Sequence, residues 1–149
     1  MAMAMAKLAI LILAAAILAG TSNGRQGYLY ELEVKTANDA LSGTEALVAF
    51  EFYESSGGAG VIRLVDGDGA LFKKGSTDRL MFNEPLSFKT CRLGLRLLDT
   101  GLLDKEWECE YVRLRIEGEP SGQFPGEVIR KFRVNQWVRP GKRVQIDMC

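Results

Sequence analysis

The chain has 149 residues, of which 47% are hydrophobic and 26% are charged. Its 19 lysines and arginines balance its 19 aspartates and glutamates, so the formal net charge at pH 7 is zero. Proteins that bind nucleic acid by neutralising phosphates are normally more basic, which argues against that class. The chain contains no histidine. This excludes Ser-His-Asp and Cys-His catalytic groups and imidazole zinc sites, and we expect no enzymatic activity.

The first segment, Met1–Gly20, differs in composition from the rest of the chain. Lys7 is its only charged residue, and the apolar run Leu8–Ala19 follows directly. That run has about 12 residues, whereas a membrane-spanning helix needs ~20. A positive start, a short apolar run and small residues after it are typical of a secretory signal peptide. We predict such a peptide over residues 1–22, cut between residues 19 and 24; an uncleaved anchor is the alternative.

Eight short segments follow, and their alternation of apolar and polar residues is typical of β-strands. In chain order they are Tyr28–Thr36, Ala46–Tyr53, Val61–Val65, Arg79–Phe82, Cys91–Leu98, Trp107–Glu117, Lys131–Val134 and Lys142–Met148. The stretches between them are rich in Gly, Asp, Asn and Pro, which favour turns. No segment has the period of an amphipathic helix. We therefore predict one all-β domain, an antiparallel sandwich or barrel.

The sixth segment, Trp107–Glu117, changes the phase of its alternation. Its large residues stand at odd positions as far as Tyr111 and at even positions from Val112. Because strand side chains point to opposite faces in turn, an unbroken strand would direct one of these sets away from the core. One extra residue near Glu110–Tyr111, a β-bulge, would return both sets to the same core. We predict this bulge; the alternative is that the strand begins only at Val112.

Five stretches of the chain, in the right order, resemble the PLAT domain, the lipoxygenase-homology β-sandwich. They are YELEVKTAN, SGTEALVAFEFYES, LFKKGSTDRL, CRLGLRLLDTGLLDKEWECEYVRLRIEG and FRVNQWV. The family's F-x-x-G-x-x-D pattern matches Phe72, Gly75 and Asp78. Its strand-opening tryptophan and its terminal tryptophan match Trp107 and Trp137.

The resemblance implies both a fold and a class of function. It covers residues 28–139 and leaves residues 140–149 as a C-terminal strand or tail. The family implies two packed four-stranded antiparallel sheets, no catalytic activity, and binding to lipids, membranes or partner proteins, often with calcium. With its leader the chain looks like the stand-alone stress-associated PLAT proteins of plants, which implies the endoplasmic reticulum or the apoplast. The alternative is a protein-interaction scaffold with no affinity for lipid or metal.

Calcium binds carboxylate and carbonyl oxygens, which two predicted loops offer. Asp39 and Glu45 lie in the first loop, and Asp66 and Asp68 lie in the second, in the sequence DGDG. Glu45 stands where the family has Asp, and Leu71 stands where it often has a carboxylate. We therefore predict only weak calcium binding, in the ~10⁻⁴–10⁻³ M range of extracellular modules. The alternative is that DGDG is an ordinary turn.

Contact with a membrane or a partner needs apolar residues at a loop tip, backed by basic residues. Leu102–Leu103 follow a DTG turn without an obvious strand partner, and we predict that they make this contact. Lys73 and Lys74 would supply the basic residues. Phe72, which precedes them, is expected to fill the core. Trp107 and Trp137 are expected to pack in the core or at the edge of the sandwich.

The three cysteines, Cys91, Cys109 and Cys149, leave one unpaired if two of them form a disulfide. The strands of Cys91 and Cys109 are consecutive and expected to pair. We predict a Cys91–Cys109 disulfide, closing a loop of about 18 residues and contributing roughly 3 kcal/mol; two buried thiols are the alternative. Cys149 is then free or forms an intermolecular disulfide. Relatives often pair it with a cysteine before the first strand, and none stands at Gly27–Tyr28.

Overall fold

The computed structural model describes residues 30–57, 60–67, 69–83, 86–98, 106–118 and 126–149. In these ranges the chain forms β1 (Tyr30–Thr36), β2 (Leu47–Glu54), β3 (Val61–Asp66), β4 (Thr77–Phe82), β5 (Thr90–Leu98), β6 (Trp107–Glu117), β7 (Glu127–Val138) and β8 (Val144–Asp147). Each corresponds to one predicted segment, although β7 is much longer than predicted. Across the same ranges there is no helix long and apolar enough to cross a membrane. The predicted signal peptide lies outside the described residues.

The strands form two four-stranded sheets in which all neighbours are antiparallel. The first sheet has the order β4-β1-β6-β7, and the second has the order β3-β2-β5-β8. The predicted eight-stranded antiparallel sandwich is therefore confirmed. The short strand β8 pairs with β5 and forms an edge of the second sheet. Consecutive strands β5 and β6 lie in different sheets, which changes the disulfide pairing described below.

The two sheets enclose one apolar core between their inner faces. Its largest fully buried side chains are Trp107, Tyr30, Phe50, Phe52, Phe72, Phe132, Leu32, Leu93, Leu95, Leu97, Leu114 and Ile116. All except Phe72 come from strands, where every second residue points inward. Phe72 enters from the connection between β3 and β4, so the core continues under this end of the sandwich. Each such side chain contributes ~1.5–3 kcal/mol through loss of contact with water.

The phase change in β6 is a β-bulge, as predicted. Lys35 of β1 pairs with Tyr111, and the next residue, Thr36, pairs with Cys109, so Glu110 is the extra residue. The apolar residues before and after the bulge, apart from Tyr111, are consequently all buried in the same core. Tyr111 lies on the outer face of the first sheet instead, because the bulge reverses the direction of the side chains from that residue onward.

The predicted Cys91–Cys109 disulfide is wrong. Cys91 is bonded to Cys149, 58 residues away in sequence, and Cys109 is a buried free thiol. Because β5 and β6 belong to different sheets, Cys91 and Cys109 are not neighbours; β8 instead pairs with β5, and the N–H of Met148 donates to the Cys91 carbonyl at 2.9 Å. Cys149, predicted to be free or to form an intermolecular disulfide, is thus paired within the chain. Burial raises the pKa of the Cys109 thiol, which keeps it protonated and unreactive.

The antiparallel order brings three described connections to one end of the sandwich, which we call the loop end. They are loop 37–46 between β1 and β2, loop 67–76 between β3 and β4, and loop 139–143 between β7 and β8. The connection between β5 and β6 also starts and finishes at this end. The predicted contact residues Leu102–Leu103 belong to it and lie outside the described residues, so that contact stays a prediction.

Candidate functional site

Loop 67–76 is fixed by the F-x-x-G-x-x-D pattern. The Phe72 ring packs on the Trp107 ring, with 5.2 Å between the ring centroids. The Asp78 carboxylate accepts a hydrogen bond from the backbone N–H of Phe72 at 2.9 Å. Gly75 has a φ of 72°, and a Cβ there would lie 2.7 Å from Oδ1 of Asn38. The pattern therefore anchors the loop in the core, as expected for Phe72.

Loop 37–46 is held against loop 67–76 through its backbone. The N–H of Thr44 donates to the Phe72 carbonyl at 3.0 Å. A Cβ on Gly43 would come within 2.9 Å of the backbone nitrogen of Lys74, so only glycine permits this close approach. The buried Ser42 hydroxyl donates to the carbonyl of Asp39 at 2.7 Å and tightens the turn. The two loops consequently form one rigid surface.

Leu41 stands at the apex of loop 37–46. With 85% of its surface exposed, it is the most exposed large apolar side chain in the part of the chain that the structure describes. Its φ of 67° lies in the left-handed region, which costs a residue other than glycine roughly 1–2 kcal/mol. An exposed apolar side chain on strained backbone indicates a functional position. The sequence did not indicate this position, apart from a single leucine inside the polar stretch TANDALSGTEA.

An open pocket of about 210 Å³ lies between the two loops. It is lined by Gly43, Thr44, Glu45, Gly69, Leu71, Phe72, Lys73 and Lys74. The two lysines, which the sequence predicts to support membrane contact, are both exposed here. Since Gly43 contacts the backbone of Lys74 and is two residues from Leu41, the loop end combines an apolar apex with adjacent positive charge.

The predicted set of four calcium ligands stays a prediction, because one of the four is not described. Glu45 lines the pocket, Asp66 is exposed at the end of β3, and Asp68 lies outside the described residues. Asp39 lies beside Glu108 of β6, a residue that the sequence analysis did not consider as a ligand. No group of three acidic, histidine or cysteine side chains placed to hold a metal occurs among the residues described. Calcium takes roughly six to eight oxygen ligands, so a site here would need ligands beyond these residues, and the weak binding stays a prediction.

Asp39 and Glu108 form a carboxyl pair joined by a hydrogen bond. Loss of hydration, together with the charge of Asp39, raises the pKa of Glu108 above its usual value. Oε2 of Glu108 is shielded from solvent and has no hydrogen-bond partner within the described structure. The pair therefore retains a proton at higher pH than an isolated glutamate does.

Replacing Glu108 by glutamine should stabilise the protein at neutral pH. Because folding raises the pKa of Glu108, the protonated pair stabilises the folded state fully at pH values below the ordinary pKa of glutamate. This stabilisation is lost as the pH rises through the raised pKa of the folded state. Glutamine donates a hydrogen bond to Asp39 at every pH. Thermal unfolding from about pH 4 to about pH 8 should show the variant gaining on the wild type as pH increases. If the difference in melting temperature between the variant and the wild type did not change with pH, the raised pKa of Glu108 would be contradicted.

The two tryptophans of the family pattern occupy different environments. Trp107 is completely buried, and its Nε1–H donates to the buried hydroxyl of Thr36 at 3.0 Å. Trp137 is partly exposed on the edge strand β7, where it lines an open groove of about 400 Å³ together with residues of loop 139–143. Both positions agree with the expected packing in the core and at the edge of the sandwich.

A buried carboxylate, Glu51, lies on the outer face of the second sheet. It accepts hydrogen bonds from Arg96 at 2.5 Å, from Arg143 at 2.9 Å and from the Tyr53 hydroxyl at 2.8 Å. A Cβ on Gly94 would lie 2.9 Å from Oε2 of Glu51 and from Nε of Arg143, so glycine makes room for this network. Because both oxygens of Glu51 are paired, the network has a structural role and leaves no free base.

Comparison with known proteins gives one family and a set of similar folds. The model of the PLAT/LH2 domain family matches residues 30–147. Clostridium perfringens alpha-toxin from an avian strain is 15% identical with a TM-score of 0.63, and the match covers 86% of this chain and 34% of that chain. A calcium-dependent 11R-lipoxygenase is 20% identical with a TM-score of 0.56, covering 80% and 17% of the two chains. Coral 8R-lipoxygenase is 18% identical with a TM-score of 0.56, covering 80% and 16%.

These similarities differ in what they show. The present chain spans about a third of the toxin chain and about a sixth of the lipoxygenase chains. At such low identity the solved structures establish the fold and no more. Comparison with curated proteins gives no match. The family model, however, covers nearly every strand residue of the sandwich, so the chain belongs to the PLAT/LH2 domain family.

Proposed function

We propose that this PLAT domain is a non-catalytic module that docks onto a lipid surface through its loop end. The observation that carries the proposal is Leu41, an 85% exposed leucine at the apex of a rigid loop beside Lys73 and Lys74. An apolar side chain at a loop apex enters the acyl boundary of a bilayer, while neighbouring lysines remain at the headgroups. Contact by Leu102–Leu103 from the adjoining connection is part of the same proposal.

These contacts predict weak, reversible docking. Burying one leucine contributes ~1.5–3 kcal/mol, and each lysine near an anionic leaflet contributes about 1 kcal/mol. The sum for Leu41, Lys73 and Lys74 is roughly 4–5 kcal/mol, which corresponds to a dissociation constant near the millimolar range. Further contacts are therefore needed for stable residence on a membrane.

Replacing Leu41 by asparagine should weaken docking without harming the fold. Asparagine tolerates the left-handed backbone that leucine occupies at a cost, so the melting temperature should stay the same or rise. Loss of the apolar apex should reduce partitioning to phospholipid vesicles about tenfold. Co-sedimentation with vesicles measures the partitioning, and thermal unfolding measures the stability.

Leu64→Asn is the matched control for this variant. Leu64 is 56% exposed on the strand β3 and belongs to neither loop 37–46 nor loop 67–76, so the same chemical change there should leave docking unchanged. Equal loss for both variants would contradict a specific role of Leu41. If the wild type binds no vesicle of any composition, the scaffold alternative, with no affinity for lipid, replaces this proposal.

Calcium stays a prediction. Coral 8R-lipoxygenase has calcium activation via a C2-like domain. In the present chain the described residues supply the pair Asp39 and Glu108 and no third carboxylate, so the docking that we propose depends on Leu41 and the lysines without the ion. A calcium titration to millimolar concentration, followed by thermal unfolding and calorimetry, tests the predicted weak binding.

We also propose that the protein acts in the secretory pathway or outside the cell. The Cys91–Cys149 disulfide supports this location, since such bonds persist in oxidising compartments. The composition of residues 1–22 supports it independently. A role in plant stress response rests on the resemblance to stand-alone plant PLAT proteins. N-terminal sequencing of the exported protein should find a start shortly after residue 19, and retention of Lys7 would contradict cleavage.

A further inference from the structure

The outer face of the first sheet carries a cluster of cations next to the loop end. In one row across the sheet, Lys35 pairs with Tyr111, and Tyr111 pairs with Arg133. In the next outward-facing row, Arg113 pairs with Lys131. Strands lie ~4.8 Å apart and residues two apart on a strand lie ~6.8 Å apart, so the four cations have their Cα atoms within about 12 Å of one another. We call Lys35, Arg113, Lys131 and Arg133 the cationic face.

Neighbouring carboxylates do not neutralise the cationic face. Glu33, which lies in the row of Arg113, accepts hydrogen bonds from the Tyr111 hydroxyl at 3.0 Å and from Arg79 at 3.1 Å. Glu110 at the bulge is exposed beside Tyr111, and Glu108, two residues before it on β6, is engaged with Asp39. Four cations thus face three carboxylates, of which Glu33 is already engaged with an arginine outside the cluster and Glu108 with Asp39.

The third outward-facing row, which contains Arg115, is neutralised, unlike the first two. There Arg115 is held by Glu117 at 2.9 Å and by Glu127 at 2.5 Å, which neutralises it. Within the described structure no carboxylate ion pair involves Lys131 or Arg133. The excess positive charge is therefore concentrated in the two rows nearest the loop end.

The outer face of the second sheet provides a comparison inside the same molecule. Its three arginines are paired: Arg92 with Asp147 at 2.9 Å, and Arg96 and Arg143 with Glu51 at 2.5 and 2.9 Å. On the cationic face the ammonium group of Lys131 instead lies 4.0 Å from the centroid of the Tyr111 ring. This contact orients the lysine and leaves its charge available to an anion. On the second face each of the three arginines thus has a carboxylate partner, whereas among the described residues Lys131 and Arg133 of the cationic face have none.

The cationic face is continuous with the loop end. Lys35 donates a hydrogen bond from Nζ to the Gly75 carbonyl at 2.7 Å, which ties the first row to loop 67–76. Lys73 and Lys74 lie in that loop, and Leu41 stands at the apex of the loop beside it. One surface therefore extends from the apolar apex, over the loop lysines, onto the upper part of the first sheet.

We infer that the cationic face binds the phosphate groups of anionic phospholipids, so that the domain docks tilted, with its first sheet leaning toward the bilayer. This inference rests on the proposed docking through the loop end and names the lipid class and the orientation. Arginine is suited to phosphate, because its planar guanidinium donates two parallel hydrogen bonds. A soluble acidic partner would have no use for the apolar apex that adjoins the face, which favours a lipid surface.

The cationic face should account for much of the affinity. Each lysine or arginine near an anionic leaflet raises binding roughly fivefold. Together, four cations would raise affinity by on the order of a hundredfold or more over the loop end alone, if the gains are partly additive. Ionic strength screens these contacts, so binding to anionic vesicles should fall as salt is added.

The test uses the full mature chain and two kinds of vesicle without calcium, in the presence of a chelator. One kind is pure phosphatidylcholine, and the other contains about 30% phosphatidylserine, which gives a surface potential like that of an anionic leaflet. Arg133→Glu and Lys131→Glu reverse exposed charges on β7 and should leave the melting temperature nearly unchanged. Lys89→Glu, an equal charge reversal at the opposite end of the sandwich, is the control.

Wild type should bind the anionic vesicles at least about tenfold more tightly than the neutral ones, and Arg133→Glu should lose about tenfold on anionic vesicles only. Lys89→Glu should bind as the wild type does. The inference is overturned if Arg133→Glu still binds anionic vesicles like the wild type. It is also overturned if the reversal abolishes binding to soluble polyglutamate and not to vesicles, since the face would then belong to an acidic protein partner.

Failure of this inference can be told apart from failure of the proposed function. If the wild type prefers anionic vesicles and Leu41→Asn weakens binding but Arg133→Glu does not, docking through the loop end stands and the cationic face has no role. If the wild type binds neither kind of vesicle, the proposed function itself is overturned.

Discussion

Replacing Cys149 by serine should lower the free energy of unfolding by about 4 kcal/mol. The Cys91–Cys149 bond links residues 58 apart in sequence, so its loss releases a long loop in the unfolded chain. The strand that carries the C-terminus, β8, has only four residues and pairs with β5 alone. Its partly buried Val144 and Ile146 would then leave the core more readily. Chemical denaturation of the two proteins measures the difference.

The third cysteine supplies the control. Cys109→Ala removes a buried thiol that makes no disulfide and should cost only about 1 kcal/mol. A reducing agent should destabilise the wild type and Cys109→Ala but leave Cys149→Ser unaffected. Mass spectrometry without reduction should find the peptides of Cys91 and Cys149 linked. If Cys109→Ala abolished the effect of the reducing agent, the pairing would be wrong.

Replacing Trp107 by alanine should cost about 3–5 kcal/mol, because it leaves a cavity in the core beneath the loop end. The ring is completely buried between Phe72, at 5.2 Å, and Phe50, at 6.5 Å between centroids. The change also deprives the buried hydroxyl of Thr36 of its hydrogen-bond donor. Urea unfolding measures this loss of free energy, and the slope of the unfolding free energy against urea concentration should stay the same.

Trp137→Ala is the matched control, because Trp137 is partly exposed at the edge of the first sheet. It should cost clearly less than Trp107→Ala, and equal costs would contradict the central role of Trp107. The milder variant Trp107→Phe keeps most of the ring volume and removes the hydrogen bond to Thr36. In a Thr36→Val background, where this bond is already absent, Trp107→Phe should cost about 1 kcal/mol less. Phe72 anchors loop 67–76 and packs on Trp107, so Trp107→Phe should also bind vesicles less well than the wild type.

The local pattern of residues was sufficient to predict much of the fold. Alternation of polar and apolar residues located all eight strands, and the broken alternation in Trp107–Glu117 located the bulge at Glu110. Alternation underestimated the length of β7, because that strand carries Lys131 and Arg133 on its outer face and Arg130 on its inner face, and its Asn135 and Gln136 are both exposed. A strand so rich in polar residues lacks a clear apolar period at its ends.

The candidate site was predicted only in part. The F-x-x-G-x-x-D pattern correctly placed Phe72 in the core, and the lysines that follow it are exposed at the loop end. Leu41 was missed because its exposure and its left-handed backbone depend on how loop 37–46 rests on loop 67–76. The proximity of Asp39 to Glu108 of β6 was also missed, because these residues are far apart in the sequence.

The sequence by itself determined the properties that depend on neighbouring residues: the all-β class, the strand positions, the bulge and the family pattern. Tertiary structure decided which strands are neighbours, because pairing joins residues far apart in the chain and is set by how both sheets cover one core. Since β5 pairs with β8 and not with β6, Cys91 is bonded to Cys149 instead of Cys109. Strand pairing also brought residues of β1, β6 and β7 together as the cationic face, although the net charge of the whole chain is zero.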